Sequence, residues 1–459
     1  MRGLYRKNMK RAAWVMVVFI LSSGTLLFGM VDPPGKTGAS GGVPKPESED
    51  GYQAMLVEER EKAGQIRLDL LRHADEEIQI AYHTFHSGDW MKAFFSEVLA
   101  AADRGVEVTI LVDGLMNQMR GDMRGLPALL AGHEQIDLHY YKPPRAGNPA
   151  EWNNRLHDKL IVIDQTYVMT GGRNIGDKYF SPPDEHGVSD RDVLVKVTGD
   201  EPDKSALMSD LNDYLTSLIA YEGMYSYKEE ASRFVERRAK ALEKVLTSFE
   251  SPAGSGSMAE GDFLDVDHVA FMHNPFGEIQ NEPFLWEVLT DLAHHAEDEI
   301  LVQTPYLVLN EPMQNVLEAG EFAPEQVTIL TNSLYSSPNF PAFSAYLADR
   351  ERFAASEVQL FEYGKAEPIH AKTFQFDGYT SVVTSFNVDP RSAYLNTESM
   401  LVIEGETFAE KLQGSMRAIE ADSFKALDEE EQFQEKVPVW KERLMRGLSR
   451  ITSRLAHLL

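Results

Sequence analysis

HDKLIVID, at residues 157–164, is matched later in the chain by HAKTFQFD, at residues 370–377. Each segment has a histidine, a lysine two residues further on, and an aspartate five residues beyond the lysine. One copy of so short a pattern would be weak evidence, because chance matches are common. However, a second matching piece follows each aspartate at the same distance: GGRN at residues 171–174 and TSFN at residues 384–387. The repetition indicates one active site built by two similar halves.

The sequence around these segments predicts the fold. Each histidine and its lysine stand two apart beside an apolar run, so on a strand both side chains point to the same side. Other pieces repeat in the same order: His-Ala-x-x-Glu-Ile begins at residues 73 and 295, and Val-Thr-Ile-Leu occupies residues 108–111 and 327–330. Apolar strands that alternate with helical patterns predict an α/β fold. We expect two duplicated halves, each a largely parallel sheet covered by helices on both faces.

Two histidines, two lysines and two asparagines would meet in such an arrangement, and these groups suit phosphodiester chemistry. One imidazole attacks phosphorus, while the other protonates the leaving oxygen and then deprotonates the acceptor. We take His157 as the nucleophile and His370 as the acid and base, although the near-symmetry leaves the opposite assignment open. The groups predicted to bind the non-bridging oxygens are Lys159, Lys372, Asn174 and Asn387, with Ser385 as a further donor. The lysines put positive charge where a metal cation would sit, so neither a metal nor a cofactor is expected.

Four carboxylates have predicted supporting roles. A nucleophilic imidazole needs an acceptor at its other nitrogen to fix its tautomer, and Asp192 and Glu398, which each open an apolar run, are the candidates. Asp164 lies an odd number of residues from its histidine and precedes a turn, and Asp377-Gly378 is a good hairpin signal. We therefore expect Asp164 and Asp377 to be structural, holding turn and strand.

Composition narrows the class of protein. The chain has 459 residues, enough for two domains, and a net charge of −28. Because nucleic-acid binders normally show a basic footprint, this balance argues against long polyanionic substrates. The chain has no cysteine, which excludes disulfides, thiolate metal sites, a cysteine nucleophile and a lipid-modified N-terminus.

The N-terminus has the pattern of a membrane anchor. Five Lys and Arg residues lie within residues 1–11, and residues 12–31 carry no charge. Twenty such residues can cross a bilayer as a helix, and the positive flank places the catalytic body on the outer face. A cleaved signal peptide is the alternative, but its apolar core would be shorter and the Ser22-Ser23-Gly24 site would leave apolar residues exposed.

The domain boundaries follow from these patterns and from two Pro, Gly and Ser-rich segments. The predicted units are a basic tail at 1–11, a transmembrane anchor at 12–31, a tether at 32–50, a first half at 51–250, a linker at 251–262, a second half at 263–435 and a basic amphipathic helix at 436–459. In the last unit, Leu444, Leu448, Ile451, Leu455 and Leu458 form one apolar stripe. Such a helix can lie in an anionic lipid interface, or it can dock on the acidic body of the protein.

At these residues the chain resembles the phospholipase D superfamily, whose signature is the duplicated His-x-Lys-x4-Asp motif. The longer strings, TGGRNIGD from Thr170 and SFNVDPRS from Ser385, followed by Leu395-Asn396-Thr397-Glu398, look like bacterial cardiolipin synthases, most of all those of type C. The resemblance covers about residues 50–459. It implies two α/β/α sandwich halves related by a pseudo-twofold axis, a phosphohistidine-type intermediate, no cofactor, and imidazole-holding roles for Asp192 and Glu398. One departure is Thr384, where many members of the superfamily have glycine.

The resemblance implies a phosphatidyltransferase of the bacterial inner membrane, with its catalytic body on the periplasmic face. Its expected partners are the membrane and glycerophospholipids, namely phosphatidylglycerol and also phosphatidylethanolamine, and the product is cardiolipin. A phospholipase D hydrolase that releases phosphatidic acid is the first alternative, because the acceptor depends on how well the cleft excludes water. An exported phosphodiesterase or nuclease is disfavoured by the acidic body. A non-enzymatic lipid-binding module is disfavoured because all six catalytic groups are present.

Overall fold

The structure is a computed structural model that describes residues 51–145, 152–182, 187–199, 202–227, 232–250, 252, 260–318, 323–337, 339–426 and 445. The predicted basic tail, anchor and tether at residues 1–50 therefore lie outside the described residues, as does the predicted tail helix apart from Met445. Within the described ranges, none of the helices is both long enough and apolar enough to cross a membrane.

The first sheet has nine strands among the described residues, in the order β8-β4-β3-β2-β5-β6-β7-β1-β9. The strands are β1 (Tyr52–Val57), β2 (Glu77–Tyr82), β3 (Glu107–Asp113), β4 (Ile136–Tyr141), β5 (Lys159–Ile163), β6 (Tyr167–Gly171), β7 (Asp192–Val197), β8 (Met224–Ser226) and β9 (Leu264–Val266). The last strand comes from the predicted second half, so the two halves share this edge of the sheet.

The second sheet has eight strands among the described residues, in the order β10-β16-β15-β14-β11-β12-β13-β17. The strands are β10 (His268–His273), β11 (Ile300–Gln303), β12 (Val327–Asn332), β13 (Gln359–Tyr363), β14 (Thr373–Phe376), β15 (Thr380–Thr384), β16 (Ser399–Glu404) and β17 (Ser423–Lys425). Its centre repeats that of the first sheet, because β5-β6-β7 and β14-β15-β16 both form antiparallel meanders beside a parallel pair of strands.

Helices cover both sheets. They are α1 (Arg60–His73), α2 (Asp89–Asp103), α3 (Leu126–Leu130), α4 (Asp177–Phe180), α5 (Ala206–Ala220), α6 (Arg233–Thr247), α7 (Phe284–His295), α8 (Glu311–Glu318), α9 (Phe340–Ala355), α10 (Pro390–Tyr394) and α11 (Glu406–Ala421). Short 3-10 turns occupy Gly121–Met123, Pro202–Lys204, Glu260–Asp262 and Pro324–Gln326. The α/β architecture of two similar halves agrees with the sequence-based prediction.

The expectation of largely parallel sheets is wrong. Only β2 with β3, β3 with β4, β11 with β12, and β12 with β13 pair in parallel among the described strands, and the other ladders are antiparallel. The physical reason is the tight turn after each His-x-Lys strand. At Asp164 and Gln165, and again at Asp377 and Gly378, the backbone takes positive φ angles and reverses the chain, so the next strand returns beside the first without a crossover helix.

The inner faces of the two sheets share one hydrophobic core. Leu160 and Val162 of β5 point into this shared core with Leu401 of β16, whereas Ile161 and Ile163 point into a separate core beneath the outer helices of the first half. Burial on both faces explains why these strands are continuous apolar runs. The shared core fixes the two halves against each other, and with them the ends of β5 and β14, where the histidines lie.

Candidate active site

Each histidine segment is held by backbone of the other half. Leu156 forms a parallel bridge with Thr397, and Ile369 forms one with Ser189. The His370 backbone N–H donates to the Ser189 carbonyl at 2.7 Å, and the His157 N–H donates to the Thr397 carbonyl at 3.2 Å. These crossed bridges bring both histidines to the junction between the halves, as the repeated motif predicts.

His157 contacts the carboxylate of Glu398. Its Nδ1 lies 2.9 and 2.8 Å from the two carboxylate oxygens. Glu398 is fully buried, and it also accepts from the Ser385 hydroxyl at 2.5 Å and the Asn396 amide at 3.1 Å. The structure therefore places Glu398 where the sequence analysis expects a partner of an imidazole, whereas Ser385 binds this carboxylate.

His370 makes the corresponding contact with a residue that the sequence analysis missed. Its Nδ1 lies 2.7 Å from Oδ2 of Asp190, a carboxylate that is 3% exposed. The backbone N–H of Arg191 donates to the other oxygen of Asp190 at 2.8 Å. Both carboxylates thus reach across the junction, Asp190 from the first half to His370 and Glu398 from the second half to His157.

The predicted imidazole-holding role of Asp192 is wrong. The Asp192 carboxylate is fully buried and accepts from Arg67 at 2.9 Å and from Arg173 at 3.1 Å. Asp190 and Asp192 are two residues apart, but only Asp192 lies on a strand, so the alternation of strand side chains does not fix the direction of Asp190. Asp192 is the residue that pairs with Gly171 in the ladder between β6 and β7, so Asp190, before the strand, is the residue free to reach the cleft.

The lysines of the two motifs are buried beside their histidines. The Nζ of Lys159 donates to the His157 carbonyl, and the Nζ of Lys372 donates to the His370 carbonyl. Burial lowers the pKa of Lys159 to about 8 and the pKa of Lys372 to about 7. A buried ammonium that loses its proton so readily gains most when an anion arrives, and a phosphodiester would supply one.

Burial lowers the pKa of both imidazoles. The pKa of His370 falls to about 4, through desolvation and then the positive charge of Lys372, while the ionised Asp190 opposes the shift. The pKa of His157 falls well below its ordinary value, through desolvation and the charges of Lys159, Lys372 and His370. The charges of Lys372 and His370 thus act on His157 across the junction, so the four groups share one electrostatic environment. A neutral imidazole that donates Nδ1–H to a carboxylate has Nε2 free as a nucleophile or base.

Asn174 and Asn387 lie at the ends of β6 and β15, next to this junction. The Asn174 amide donates to the Tyr179 hydroxyl at 3.1 Å, and the Asn387 amide donates to the Ser392 hydroxyl at 3.5 Å. Both side chains are buried, and the carbonyl oxygen of each has no hydrogen-bond partner in the described part of the chain. The structure shows their place at the junction, and oxygen binding by these amides stays a prediction.

The carboxylates of Asp164 and Asp377 bind backbone N–H groups and take no part in the contacts of the cleft. Asp164 accepts from three consecutive backbone N–H groups, those of residues 75–77, at 2.8–2.9 Å. Asp377 accepts from the N–H groups of residues 297–299 at the same distances. Each carboxylate ties its hairpin turn to the junction between a helix and the next strand, which is the structural role that we expected.

Two more residues at the junction, Arg191 and His83, have no counterpart in the sequence analysis. Arg191 joins the halves by donating to Gln303 at 3.0 Å and Thr373 at 2.8 Å. The His83 ring lies 4.9 Å from that of His157, and its Nδ1 contacts the Leu156 carbonyl at 2.7 Å. Among the described residues, no cluster of three or more His, Asp or Glu side chains has the geometry of a metal site.

The comparisons with known proteins agree with this geometry. The family model described as "Cardiolipin synthase, PLD-like domain" matches residues 68–202 and 289–419, more than half of the chain. The chain belongs to this family. Each of the two matched ranges contains one His-x-Lys segment and one of the two carboxylates that contact an imidazole.

Relatives of this phospholipase D-like chain include two curated cardiolipin synthases. Cardiolipin synthase C of Escherichia coli K12 is 26% identical over 380 residues, which cover 75% of this chain and 80% of that protein. Cardiolipin synthase of Clostridium perfringens SM101 is 24% identical over 346 residues, 75% of this chain and 65% of that protein. The phosphatidylserine synthase structure from Haemophilus influenzae Rd KW20 aligns over 90% of this chain and 98% of its own, with a TM-score of 0.61 at 15% identity. At that identity, the last likeness shows the fold alone.

Proposed function

We propose that this chain is a membrane phosphatidyltransferase that makes cardiolipin by transferring a phosphatidyl group to phosphatidylglycerol. One observation carries the proposal: two histidines from separate halves meet at one junction, and each binds a buried carboxylate from the opposite half. Such a pair can supply a nucleophile and an acid on opposite sides of one phosphorus atom. Membership of a family described by cardiolipin synthase supports the choice of lipid substrates.

In the first step, Nε2 of one histidine attacks the phosphorus of the donor lipid. The N–P bond forms while the P–O bond to the headgroup breaks, and the other histidine gives its proton to the departing oxygen. Lys159, Lys372, Asn174 and Asn387 bind the non-bridging oxygens as charge gathers on them. A preorganised donor of this kind typically contributes about 10²- to 10³-fold in rate.

In the second step, phosphatidylglycerol takes the place of the released headgroup. The histidine that acted as acid is now neutral and removes the proton from the primary hydroxyl of phosphatidylglycerol. The oxygen attacks phosphorus, the N–P bond breaks, and cardiolipin leaves. If water enters instead, the same steps release phosphatidic acid.

The charges around the two imidazoles favour His157 as the nucleophile and His370 as the acid. Burial, and then the charges of Lys159 and Lys372, lower the pKa of His157 and keep its imidazole neutral and ready to attack. His370 faces an ionised Asp190, whose pKa lies well below its ordinary value and whose charge stabilises an imidazolium. The phosphate anion raises the pKa of both rings on binding, and His370 is the one that already has a carboxylate to stabilise its proton.

A membrane location completes the proposal. Residues 12–31 would anchor the chain in a bacterial inner membrane with the basic residues 1–11 in the cytoplasm and the catalytic body in the periplasm. Protease accessibility of a periplasmic tag at the C-terminus in spheroplasts tests this orientation. Digestion only after the membrane is broken would contradict it.

The covalent intermediate can be tested by trapping. Full-length protein in nanodiscs would be incubated with phosphatidyl-p-nitrophenol labelled with ³²P at its phosphodiester, because its leaving group departs without a proton from the missing acid. We expect His370→Ala to retain an acid-labile label on residue 157 in place of turnover, and His157→Ala to retain none. Absence of label on either histidine in both variants would exclude the covalent route. Lipid analysis with phosphatidylglycerol alone, or mixed with phosphatidylethanolamine, then separates cardiolipin from phosphatidic acid as the product.

A further inference from the structure

The second half contains an apolar pocket that the catalytic proposal does not use. It lies between the outer face of the second sheet and helices α7 and α9, and its cavity volume is about 80 Å³. The lining residues are Trp286, Leu289, Thr290, Ala293, Ile300, Val302, Leu307, Leu309, Val327, Ile329, Phe353, Phe374, Phe376 and Val388.

The same place in the first half is filled by aromatic rings. There Phe85 bridges to Ile175 as Leu307 bridges to Val388 in the second half. The Phe85 ring lies 4.9 Å from the ring of Phe95 and 5.7 Å from that of Tyr82, and all three side chains are buried. The pocket therefore occupies a position that the fold can fill with its own side chains.

Water is a poor occupant of this pocket. Among the described lining residues, two side chains carry polar groups. The Thr290 hydroxyl already donates to the Trp286 and Glu287 carbonyls, each at 2.9 Å, which leaves the buried indole N–H of Trp286 as a single unpaired donor. A buried water needs two to four polar partners, and an apolar cavity without them stays dry or binds an apolar molecule. The chemistry of the walls therefore selects a hydrocarbon.

The pocket adjoins the candidate active site. Val388, in its wall, directly follows Asn387, and the Val388 backbone N–H donates to the Thr304 hydroxyl at 3.2 Å. Phe374, also in its wall, is two residues beyond Lys372, so both side chains leave the strand on the same side. A molecule whose phosphate lies at Lys372 could therefore place a hydrocarbon tail against Phe374.

We propose that this pocket binds an acyl chain of the phospholipid whose phosphate occupies the active site. The inference rests on the proposed function for the identity of the ligand, and it adds that the second half alone holds the chain. Phospholipids with long acyl chains then gain affinity from burial in the pocket, whereas short-chain lipids do not reach it.

The first half supplies the residues for a test. The pattern that aligns His73-Ala74 with His295-Ala296 places Leu71 opposite Ala293, and Phe85 stands opposite Leu307. A Leu307→Phe/Ala293→Leu variant would therefore give the pocket the first half's side chains. Val245→Phe, at an exposed position on α6, is the control for an added ring. Thermal melting by circular dichroism would verify that each variant folds. If the double variant does not fold, Ala293→Leu alone takes its place.

Two measurements on full-length protein test the pocket. Phosphatidylglycerol with a diazirine at the end of its acyl chain should label peptides of α7 and β11 in the wild type, and labelling should fall at least about tenfold in the filled variant. The ratio of kcat/KM for dioleoyl to that for dihexanoyl phosphatidylglycerol should fall by a similar factor, and Val245→Phe should leave this ratio unchanged.

The possible outcomes separate the pocket from the reaction. Labelling of α7 without lipid turnover would support acyl-chain binding in the pocket and contradict the proposed reaction. Turnover with labelling elsewhere, or a filled variant that keeps both its labelling and its chain-length ratio, would overturn the pocket. Met445 is buried in the same core as the lining residues, so the C-terminal segment is the rival occupant. Labelling that appears only after deletion of residues 446–459 would assign the pocket to that segment and overturn the acyl-chain proposal.

Discussion

The two halves repeat their catalytic groups but not the interiors that support them. Gly171 pairs with Asp192 in the first half, and Thr384 pairs with Met400 in the second, so Met400 stands where the first half has Asp192. By the same repeat, Phe386 replaces Arg173 and Leu289 replaces Arg67. The first half buries a carboxylate between two guanidinium groups, and the second buries apolar side chains in the same places.

This difference shows that the fold does not need the buried ion cluster of the first half. A buried ion cluster can often be replaced by apolar side chains of similar volume without loss of stability, and the second half is such a replacement. By contrast, both halves keep a histidine, a lysine, an asparagine and a carboxylate at the junction. Because the carboxylates cross, neither half completes its own imidazole, and the site exists only when both halves are folded together.

The largest expected effect comes from the crossed carboxylates. In Glu398→Gln or Asp190→Asn, an amide would donate to Nδ1 and leave the imidazole in the wrong tautomer, so kcat should fall about 10⁴-fold in each variant. Phosphatidyl-p-nitrophenol, whose leaving group needs no proton, separates the two roles. We expect Asp190→Asn to release a stoichiometric burst of p-nitrophenol and Glu398→Gln to release none. A burst from Glu398→Gln alone would reverse the assignment of nucleophile and acid.

A second prediction concerns stability in the first half. Asp192→Asn leaves Arg67 and Arg173 buried beside a neutral amide, so the free energy of unfolding should fall by about 3–5 kcal/mol. Denaturant titration measures this loss, and Asp265→Asn, at an exposed position, should change it by no more than about 0.5 kcal/mol. The pH dependence of kcat should be unchanged in the fraction that stays folded. A shifted profile with normal stability would restore the catalytic role that the sequence suggested.

The sequence predicts most of the groups in the candidate site but not which residues pair with each other there. The motif spacing places His157 and His370 correctly because a strand fixes which side chains share a face. The choice of Asp192 over Asp190 fails because the two acids lie close together in the sequence, and only the ladder with Gly171 shows that Asp192 enters the sheet while Asp190 precedes it. The exchange of carboxylates between the halves is equally hidden, since it depends on bridges between residues hundreds of positions apart in the chain.

The sheets give the same lesson at a larger scale. Alternating apolar and helical segments predict α/β layers, and the layers are present. The strand directions were predicted wrongly because alternation of strands and helices implies parallel pairs, whereas tight turns follow the two His-x-Lys strands. Asp377-Gly378 signals its hairpin in the sequence, but the turn at Asp164-Gln165 carries no glycine and gives a weaker signal.

Ser385 allows a finer comparison, because the first half has Gly172 in its place. A Cβ atom on Gly172 would lie 2.1 Å from the Asp190 carboxylate, whereas the Ser385 hydroxyl donates to Glu398. Burial raises the pKa of Glu398 to about 7, and the hydrogen bond from Ser385 opposes this shift. Ser385→Ala should therefore raise that pKa further.

The acidic limb of the kcat profile should then move up by about one pH unit, with about a fivefold loss at pH 7. Ser381→Ala is the matched control, because Ser381 is also buried on β15 and its hydroxyl has no hydrogen-bond partner among the described residues. A profile that stays in place in Ser385→Ala would mean that ionisation of Glu398 does not limit the reaction.

The smallest expected effect comes from Asp164 and Asp377, which have the same role in the two halves. Asp164 and Asp377 each have a positive φ angle, and each carboxylate accepts hydrogen bonds from three backbone N–H groups. Asparagine tolerates this conformation but loses the charge, so Asp164→Asn and Asp377→Asn should each cost about 1 kcal/mol at pH 7. The three N–H groups lower the pKa of Asp377, so its contribution is complete above the unfolded value of about 3.9 and is lost as the pH falls through the folded pKa. Urea titrations across that range should therefore show the difference between wild type and Asp377→Asn disappearing at low pH, and a difference that persists there would assign it to backbone strain.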